Sequence, residues 1–226
     1  MRKLIIANWK LNPLTLASAQ QLAASVGSSK HEVVVCPPSA FLAQIKAPIL
    51  GAQDCFWKLK GPFTGETSPA QLKDLGVRYC IIGHSERRAL GETDDMVAAK
   101  LQALLDQGIT PVLCVGFGTT VGEDQLDVTE ALRPQLETAL KDIDPAKVVV
   151  AYEPVWAIGT GKPATSAHAE QIALFIKTKY QITKVLYGGS VNGVNAKDFL
   201  SQDHIDGLLV GSNSLIPDEF NKIITS

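Results

Sequence analysis

AYEPVWAIGTGKPA, residues 151–164, is the stretch around which the rest of this sequence is arranged. It starts where an apolar run ends, and its single carboxylate, Glu153, follows that run directly. The proline after Glu153 stiffens the backbone, and the next residues are apolar where a solvated loop would be polar. We interpret Glu153 as a general base beneath an apolar lid that excludes water, with an ordinary strand-to-helix loop as the alternative. The predicted lid residues are Pro154, Val155, Trp156, Ala157 and Ile158.

The composition of the chain excludes several classes of function. Of its 226 residues, 46% are hydrophobic and 19% are charged, and the formal net charge is -2. This balance supplies no basic field for nucleic acid, and no apolar run is long enough to cross a bilayer or to act as a signal peptide. The four cysteines form no C-x-x-C pair, which favours buried thiols in a reducing compartment over disulfides or a metal site. We predict one cytoplasmic domain, residues 1–226, without nucleic-acid, membrane or metal partners.

Short apolar runs recur along the chain, and each is followed by a polar or glycine-containing turn. Continuous apolar runs, as opposed to alternating ones, are typical of strands that are buried on both faces of a parallel sheet. Helical patterns lie between the runs, so eight β/α units in 226 residues predict a single-domain (β/α)8 TIM barrel of the α/β class. A doubly wound sheet is the competing architecture. The predicted strands are residues 4–7, 33–36, 49–52, 79–82, 110–115, 148–151, 184–187 and 207–210.

Helical patterns fill most of the spaces between the predicted strands. Apolar faces of period 3.6, with Ser or Gly near the ends, indicate where these helices begin and end. Pro134 suits the first turn of a helix better than its interior, so we place it at the start of the third helix. The predicted helices are residues 94–107, 166–180 and 135–140.

The connection between strands two and three is exceptional because only residues 39–48 are available for it. Ser39 can cap a helix, and Pro48 ends any helix before it, so at most two turns fit. Such a helix is too short to cover the outer face of a barrel strand, and we predict shortened connecting helices, most of all at this place. The residues predicted to face inward are Phe41, Leu42 and Ile45.

The unusual polar residues all fall at the C-terminal ends of predicted strands, where the active sites of such barrels lie. Asn8 and Lys10 follow strand one, and His84 and Glu86 follow strand four. Glycine-containing turns follow strands seven and eight, and backbone N–H groups in such turns commonly bind a phosphate. The residues that we place at this phosphate site are Ser190, Gly211 and Ser212.

These groups together suit one kind of chemistry. His84 directly follows a buried strand at what resembles a helix start, where N–H groups disfavour a cation and keep the imidazole neutral. A carboxylate, a neutral imidazole, an ammonium and a phosphate site suit proton abstraction beside the carbonyl of a small phosphorylated substrate, with Lys10, His84 and Asn8 stabilising the enediolate. Closure of Ile158 against Leu209 would remove water and make the base stronger. The other histidines are given structural roles: His31, His168 and His204.

Six segments resemble the motifs of the triosephosphate isomerase family, and the resemblance extends over almost the whole chain. The resemblance implies interconversion of dihydroxyacetone phosphate and D-glyceraldehyde 3-phosphate, an isomerase step of glycolysis and gluconeogenesis, without cofactor or metal. It assigns Glu153 as the base and His84 as the electrophile. It makes Lys10 and Asn8 substrate-binding groups, with Glu86 as a supporting partner. The segments are ANWK at 7–10, GAQ at 51–53, FTGE at 63–66, IGHSERR at 82–88, AYEPVWAIGTG at 151–161 and YGGSV at 187–191.

The same resemblance implies further contacts. Backbone N–H groups of Gly159, Ser190, Gly211 and Ser212 would bind the phosphate of the substrate. The loop of residues 53–67, which begins at Gln53 and ends at Thr67, inserts into a partner subunit in the family, so a homodimer is expected.

The chain departs from the family pattern at several places. The family usually has a second glycine where Ser212 stands, and serine there would be strained if the position needs a positive φ. An acidic residue is usual where this chain has Phe117, so a charge near the site is missing. Two other readings remain open: a Schiff-base aldolase that uses Lys10, and a non-catalytic barrel kept for binding. The second is disfavoured because binding alone requires no base.

Overall fold

The computed structural model describes residues 2–120, 125–157 and 164–226, and within them eight parallel strands form one sheet. Neighbouring strands follow the order β2-β1-β8-β7-β6-β5-β4-β3, and a parallel bridge between Val35 and Leu50 joins the two ends. The sheet therefore closes into a barrel, which confirms the predicted fold and excludes the doubly wound sheet. The strands are β1 Leu4–Asn8, β2 Glu32–Cys36, β3 Gly51–Ala52, β4 Tyr79–Ile82, β5 Thr110–Val115, β6 Val149–Tyr152, β7 Lys184–Tyr187 and β8 Gly207–Val210.

Helices surround the barrel and cover the outward-facing side chains of the strands. Alternate strand residues point inward and form a separate apolar cluster inside the barrel, which includes Ile6, Val34, Ile81 and Leu186. The outer cluster packs against the helices, so both faces of the sheet are buried, as the continuous apolar runs predict. The α-helices are α1 Leu16–Ala24, α2 Pro69–Asp74, α3 Ser85–Ala89, α4 Asp94–Asp106, α5 Gln125–Ala139, α6 Ser166–Tyr180, α7 Ala196–Leu200 and α8 Pro217–Thr225.

The connection from β2 to β3 is as short as the sequence predicts, but it is built differently. It contains a 3₁₀ helix, Ser39–Gln44, in which Pro38 takes the cap position and offers no side-chain hydrogen bond. The expectation that Ser39 caps an α-helix is therefore wrong. Leu42 and Ile45 are buried as predicted. They are the buried side chains with which this connection covers the barrel.

The seam between β2 and β3 is the weakest part of the barrel ladder. β1 and β2 pair over five residues, whereas β3 meets β2 only through the Val35 bridge. The side chain of Gln53 spans the top of this seam, because its Nε2 donates to the carbonyl oxygens of Lys10 at 2.8 Å and Cys36 at 2.9 Å. One side-chain amide thus connects the ends of three strands on the face where the polar residues lie.

The prediction for the helix near Pro134 is wrong. The helix is not residues 135–140 but α5, Gln125–Ala139, and Pro134 lies inside it. A proline in a helix interior removes one backbone hydrogen bond and clashes with the preceding turn, so its usual cost favours a helix start. In α5 the buried side chains of Val128, Leu132 and Leu136 lie on one face along both sides of the proline, and their packing maintains the helix.

Candidate active site

The C-terminal end of the barrel contains a cavity of about 230 Å³ that collects residues from several strand ends. Asn8, Lys10, His84 and Glu153 all line it, although they are far apart in the sequence. Leu209 lines the same cavity and belongs to the cluster inside the barrel. The structure therefore brings the residues of the hypothesised proton-transfer site together. The predicted phosphate-site residues Ser190, Gly211 and Ser212 line the same cavity.

The carboxylate of Glu153 is almost completely buried, with 2% of the residue exposed. Its Oε2 accepts a hydrogen bond from the backbone N–H of Ser85 at 3.1 Å, and its Oε1 lies 3.0 Å from Nε2 of His84. The backbone is also held, because the N–H of Glu153 donates to the carbonyl of Val115 at 2.8 Å. Gly116 passes so close that a Cβ there would lie 2.1 Å from the carbonyl oxygen of Glu153, which only glycine allows.

His84 caps α3, and its ring connects two carboxylates. Its Nδ1 accepts a hydrogen bond from the backbone N–H of Glu86 at 3.2 Å, while Nε2 faces Glu153. Burial lowers the pKa of His84. The carboxylates of Glu153 and Glu86 raise it by more than burial lowers it, so the pKa lies above its usual value. The sequence interpretation of a neutral ring did not include these carboxylates. The direct contact decides the assignment, because Nδ1 can accept this hydrogen bond only without a proton, and we assign the neutral ring with its proton on Nε2.

Lys10 is held in a left-handed backbone conformation, with φ 54°. This conformation is unfavourable for a residue with a side chain and persists where the surroundings enforce it. Its N–H donates to Oδ1 of Asn8 at 3.1 Å, and its carbonyl accepts from Gln53. Its Nζ lies 2.5 Å from Oε1 of Glu86, so the ammonium is fixed at the mouth of the cavity. Glu86 itself is 54% exposed and acts on the cavity through Lys10 and His84.

The turns after β7 and β8 also line the cavity. Ser212 begins a 3₁₀ helix, Ser212–Leu215, and it is not among the described non-glycine residues with positive φ, so the expected strain is absent. Two amides that the sequence interpretation missed hold the β7 turn: Asn195 donates from Nδ2 to the carbonyl of Ser190 at 3.2 Å, and Asn213 donates to the carbonyl of Val191. Each of these asparagines lies two residues after a glycine, Gly193 or Gly211, and this turn composition was the available signal for their role.

The two ends of the predicted lid are anchored, while Ile158 and Gly159 lie outside the described residues. At the first end, Val155–Ala157 forms a 3₁₀ turn, and the N–H of Val155 lies 3.4 Å from Oγ1 of Thr119. At the second end, the N–H of Ala164 donates to the hydroxyl of Tyr187 at 3.1 Å. Pro154 directly follows the base and is buried. Phe117, where the resemblance leads us to expect an acid, is 41% exposed.

A buried network of charges lies beneath the loop that carries the histidine. The N–H of Gly83 donates to Oε2 of Glu92 at 3.1 Å, and Arg88 donates from Nε to the carbonyl of Gly83 at 2.8 Å. Lys100 contacts Glu92 and also Oδ1 of Asp54 at 2.6 Å. Burial lowers the pKa of Lys100. Asp54 and Glu92 raise it by more than burial lowers it, so the side chain stays charged. Sequence reasoning missed this network, which fixes both backbone groups of the residue before the histidine.

The described ranges contain neither a cluster of metal-ligating side chains nor a membrane-spanning helix. In residues 2–120, 125–157 and 164–226, no group of three or more metal-ligating side chains lies close enough to hold an ion. The four cysteines are free and buried, and burial raises the pKa of Cys36, Cys80 and Cys114. None of the helices in these ranges has the length and apolar character needed to cross a membrane.

Comparison with known proteins places this geometry in a wider context. The family model described as triosephosphate isomerase matches residues 3–226. The triosephosphate isomerase of Thermoanaerobacter pseudethanolicus is 42% identical over 248 residues, which covers 99% of each chain. That of Aquifex aeolicus is 40% identical and covers 100% of each, and that of Albidiferax ferrireducens is 44% identical over 100% of this chain and 98% of its own. These alignments are longer than 226 residues, so the relatives contain positions that this chain lacks.

Proposed function

Because this chain belongs to the triosephosphate isomerase family, we infer that its cavity interconverts dihydroxyacetone phosphate and D-glyceraldehyde 3-phosphate with Glu153 as the base. One observation supports this assignment most strongly. The carboxylate of Glu153 is 2% exposed, lies 3.0 Å from the imidazole of His84 and shares its cavity with Lys10. A buried carboxylate beside two hydrogen-bond donors for an oxyanion is the arrangement that proton abstraction next to a carbonyl requires.

The hydrogen bonds of Glu153 suggest how the site changes when substrate enters. The carboxylate is occupied by the N–H of Ser85 and the Nε2–H of His84. To reach a substrate carbon it releases both, and the Nε2–H of His84 then becomes free to bind the carbonyl oxygen. Glu153 takes the proton from one carbon and returns it to its neighbour, while His84, Lys10 and Asn8 bind the oxygens of the enediolate between the two steps.

A coupled assay tests the proposed function directly. D-Glyceraldehyde 3-phosphate is supplied, and the dihydroxyacetone phosphate formed is reduced by a dehydrogenase that oxidises NADH. We expect turnover without added metal or cofactor, and the same rate in the presence of a chelator. Absence of isomerisation by folded protein would overturn the proposal. Because Nζ of Lys10 lies 2.5 Å from Oε1 of Glu86, the amine is held in an ion pair, and we do not propose the Schiff-base reaction.

The phosphate of the substrate would lie against the turns after β7 and β8. Ser190, Gly211 and Ser212 line the cavity there, and the backbone of Ser212 starts a helical turn whose N–H groups suit an anion. Gly159, which belongs to this proposed set, lies outside the described residues. The side chain of Lys10 approaches Gly211, since a Cβ on that glycine would lie 3.4 Å from Cε of Lys10. The ammonium therefore lies near the proposed phosphate as well as the proposed enediolate.

Replacing Ser212 by Ala or by Gly is expected to leave the affinity for inorganic phosphate within about twofold of the parent. The reason is that both variants keep the backbone N–H, which we propose as the ligand. Isothermal titration calorimetry with inorganic phosphate measures the affinity. A loss of about tenfold or more in Ser212→Ala alone would assign the contact to the hydroxyl, because a hydrogen bond to a charged group is worth about 1.5–3 kcal/mol.

We also propose that the chain forms a homodimer, through the loop that starts at Gln53 and ends at Thr67. Three aromatic rings pack together in this loop: the ring centroid of Phe56 lies 4.0 Å from that of Trp57 and 4.6 Å from that of Phe63. Large exposed apolar side chains lie on the segments that follow β1, β3 and β4, and such residues suit a surface that meets a partner. These side chains are Leu11, Leu14, Leu59, Phe63 and Leu90.

A cytoplasmic location and a role in glycolysis and gluconeogenesis complete the proposal, with buried free thiols as support.

Dilution is expected to lower the specific activity, because the interface loop follows the thinly covered β3. Subunit association obeys mass action, so the dimer fraction and the activity should fall together. Sedimentation velocity and activity measured over the same dilution series test this. Phe63→Glu should shift both curves to higher concentration, whereas Leu174→Glu, on the outer surface at a similar exposure of 41% against 40%, should shift neither. A dimer that persists at nanomolar concentration with constant activity would contradict the weak interface.

A further inference from the structure

Gln135 is buried on α5, and its side-chain amide reaches the turn that follows β5. Its Oε1 accepts a hydrogen bond from the backbone N–H of Gly116 at 3.1 Å, and its Nε2 donates to the carbonyl oxygen of Phe117 at 2.9 Å. Nε2 also donates to the carbonyl oxygen of Ala131 at 2.9 Å, one turn earlier in the helix. Because the amide oxygen faces an N–H and the nitrogen faces two carbonyls, only this orientation satisfies all three contacts.

The turn that Gln135 contacts lies directly against the backbone of the proposed base. A Cβ on Gly116 would lie 2.1 Å from the carbonyl oxygen of Glu153 and 2.8 Å from its carbonyl carbon. Gly116 has φ 122°, a conformation that a residue with a side chain rarely adopts. The N–H of Glu153 also donates to the carbonyl oxygen of Val115, the residue before Gly116. Since the two backbones are in direct contact, a displacement of Gly116 also displaces Glu153.

The other hydrogen bonds of this turn have a different role. The carbonyl oxygen of Gly116 accepts from the N–H of Thr119 at 3.2 Å and from the hydroxyl of Thr119 at 2.7 Å. The same hydroxyl lies 3.4 Å from the N–H of Val155, two residues after the base. These bonds close the turn and connect it to β6, whereas the bonds of Gln135 attach it to α5. Loss of the amide would leave the buried N–H of Gly116 without this acceptor, which is costly, so the turn would shift.

We propose that Gln135 is a positioning residue for the base: its amide fixes the turn after β5, and that turn fixes the backbone of Glu153. The inference rests on the proposed function, in which Glu153 transfers the proton. Gln135 is not among the residues that line the cavity, so it acts through Gly116. A displacement of about 1 Å at a reacting group can lower a rate by about 10²-fold, so a small shift of this turn is sufficient.

Gln135→Met tests the proposal in the full-length protein, because methionine has a similar shape but cannot donate these hydrogen bonds. We expect kcat in the coupled assay to fall by about ten- to a hundredfold. The affinity for inorganic phosphate, measured by calorimetry, should stay unchanged, because Asn195 and Asn213 hold the β7 turn of the proposed phosphate site. An unchanged kcat, or a loss of phosphate affinity as large as the loss of kcat, would overturn the proposal.

Val128→Ala is the control for a general loss of packing around α5. Val128 is buried on the same helix, and its truncation removes apolar contacts while leaving the amide of Gln135 in place. Thermal unfolding should show a lower midpoint for this variant, but its kcat, measured well below that midpoint, should equal that of the parent. A loss of kcat in Val128→Ala as large as that in Gln135→Met would show general loosening and would contradict a positioning role.

NMR of protein labelled with isotope-enriched histidine tests the position of Glu153 without turnover. Nε2 of His84 lies 3.0 Å from Oε1 of Glu153, so the chemical shift of the imidazole N–H reports this contact. The resonance is assigned by its absence from His84→Gln. We expect it to move in Gln135→Met and to stay in place in Val128→Ala.

The two readouts separate failure of the inference from failure of the proposed function. A resonance of His84 that is identical in the parent and in Gln135→Met would overturn the inference even if the parent is an active isomerase. A parent that does not isomerise the substrate would count against the proposed function, and the resonance of His84 would still decide whether Gln135 positions Glu153.

Discussion

Glu153→Gln is expected to lower kcat for triose phosphate isomerisation by about 10²–10⁴-fold, the usual contribution of a general base. The amide has almost the same shape as the carboxylate but cannot accept the substrate proton. The effect should reach the upper part of this range, because Glu153 is buried and its proton transfer takes place away from water. Rates from the coupled assay, with circular dichroism and thermal unfolding to verify the fold, measure it.

A second carboxylate at the cavity mouth provides the comparison. Glu86→Gln removes the ion pair with Lys10, but Glu86 is 54% exposed, so its loss should cost about tenfold or less. Because both variants replace one carboxylate by one amide, the difference between them isolates the role of the base. A Glu153→Gln enzyme that keeps its kcat within about tenfold of the parent would remove Glu153 from this role.

Lys100→Met is expected to lower the free energy of unfolding by about 3–5 kcal/mol, the cost of breaking a buried ion pair on one side. Lys100 is 3% exposed, and its removal would leave the buried carboxylate of Glu92 without its cation, while Asp54 would keep its ion pair with Arg87 at 2.9 Å. Urea unfolding at one fixed protein concentration measures the change, because the proposed dimer makes apparent stability depend on concentration. The variant should also be less active, since Glu92 holds the backbone of Gly83 before the histidine.

Two further variants show whether the effect comes from the unpaired charge. Adding Glu92→Gln to Lys100→Met removes one stranded carboxylate while keeping an acceptor for Gly83, so the double variant should be more stable than Lys100→Met. Lys222→Met breaks the exposed pair with Glu219, where Lys222 is 62% exposed, and should leave the unfolding midpoint unchanged. Equal midpoints for Lys100→Met and Lys222→Met would show that the buried network contributes little to stability.

The barrel was predictable because its strands are buried on both faces, which leaves continuous apolar runs that local sequence alone reveals. β4, β5, β7 and β8 have the predicted bounds. β3 is shorter than predicted because Leu50 meets β2 only through an isolated bridge with Val35, and no local pattern shows how far that pairing extends. The interior position of Pro134 in α5 was missed because tertiary packing outweighs the local preference of proline for a helix start.

The site was predictable as far as residues follow strand ends, but contacts between elements were not. Asn8, His84 and Glu153 line one cavity, as the barrel rule predicts. Lys100 was missed, although it lies three residues after Val97 on the buried face of α4, and a lysine on an apolar face signals a buried partner. The identity of that partner depends on β3 and on the loop after β4, whose approach to α4 no local pattern encodes.

The weak seam between β2 and β3 has a consequence for how the sheet closes at the end that carries the cavity. Judged by its backbone ladder, the sheet is a strip with β2 at one margin and β3 at the other, joined by the single bridge of Val35 and Leu50. At the cavity end, the side-chain amide of Gln53 also joins the two margins, because it donates hydrogen bonds to the carbonyls of Lys10 and Cys36. The side chain of Gln53 therefore helps to hold β2 and β3 together at this end of the barrel, and the backbone position of Lys10 depends on one of its two hydrogen bonds.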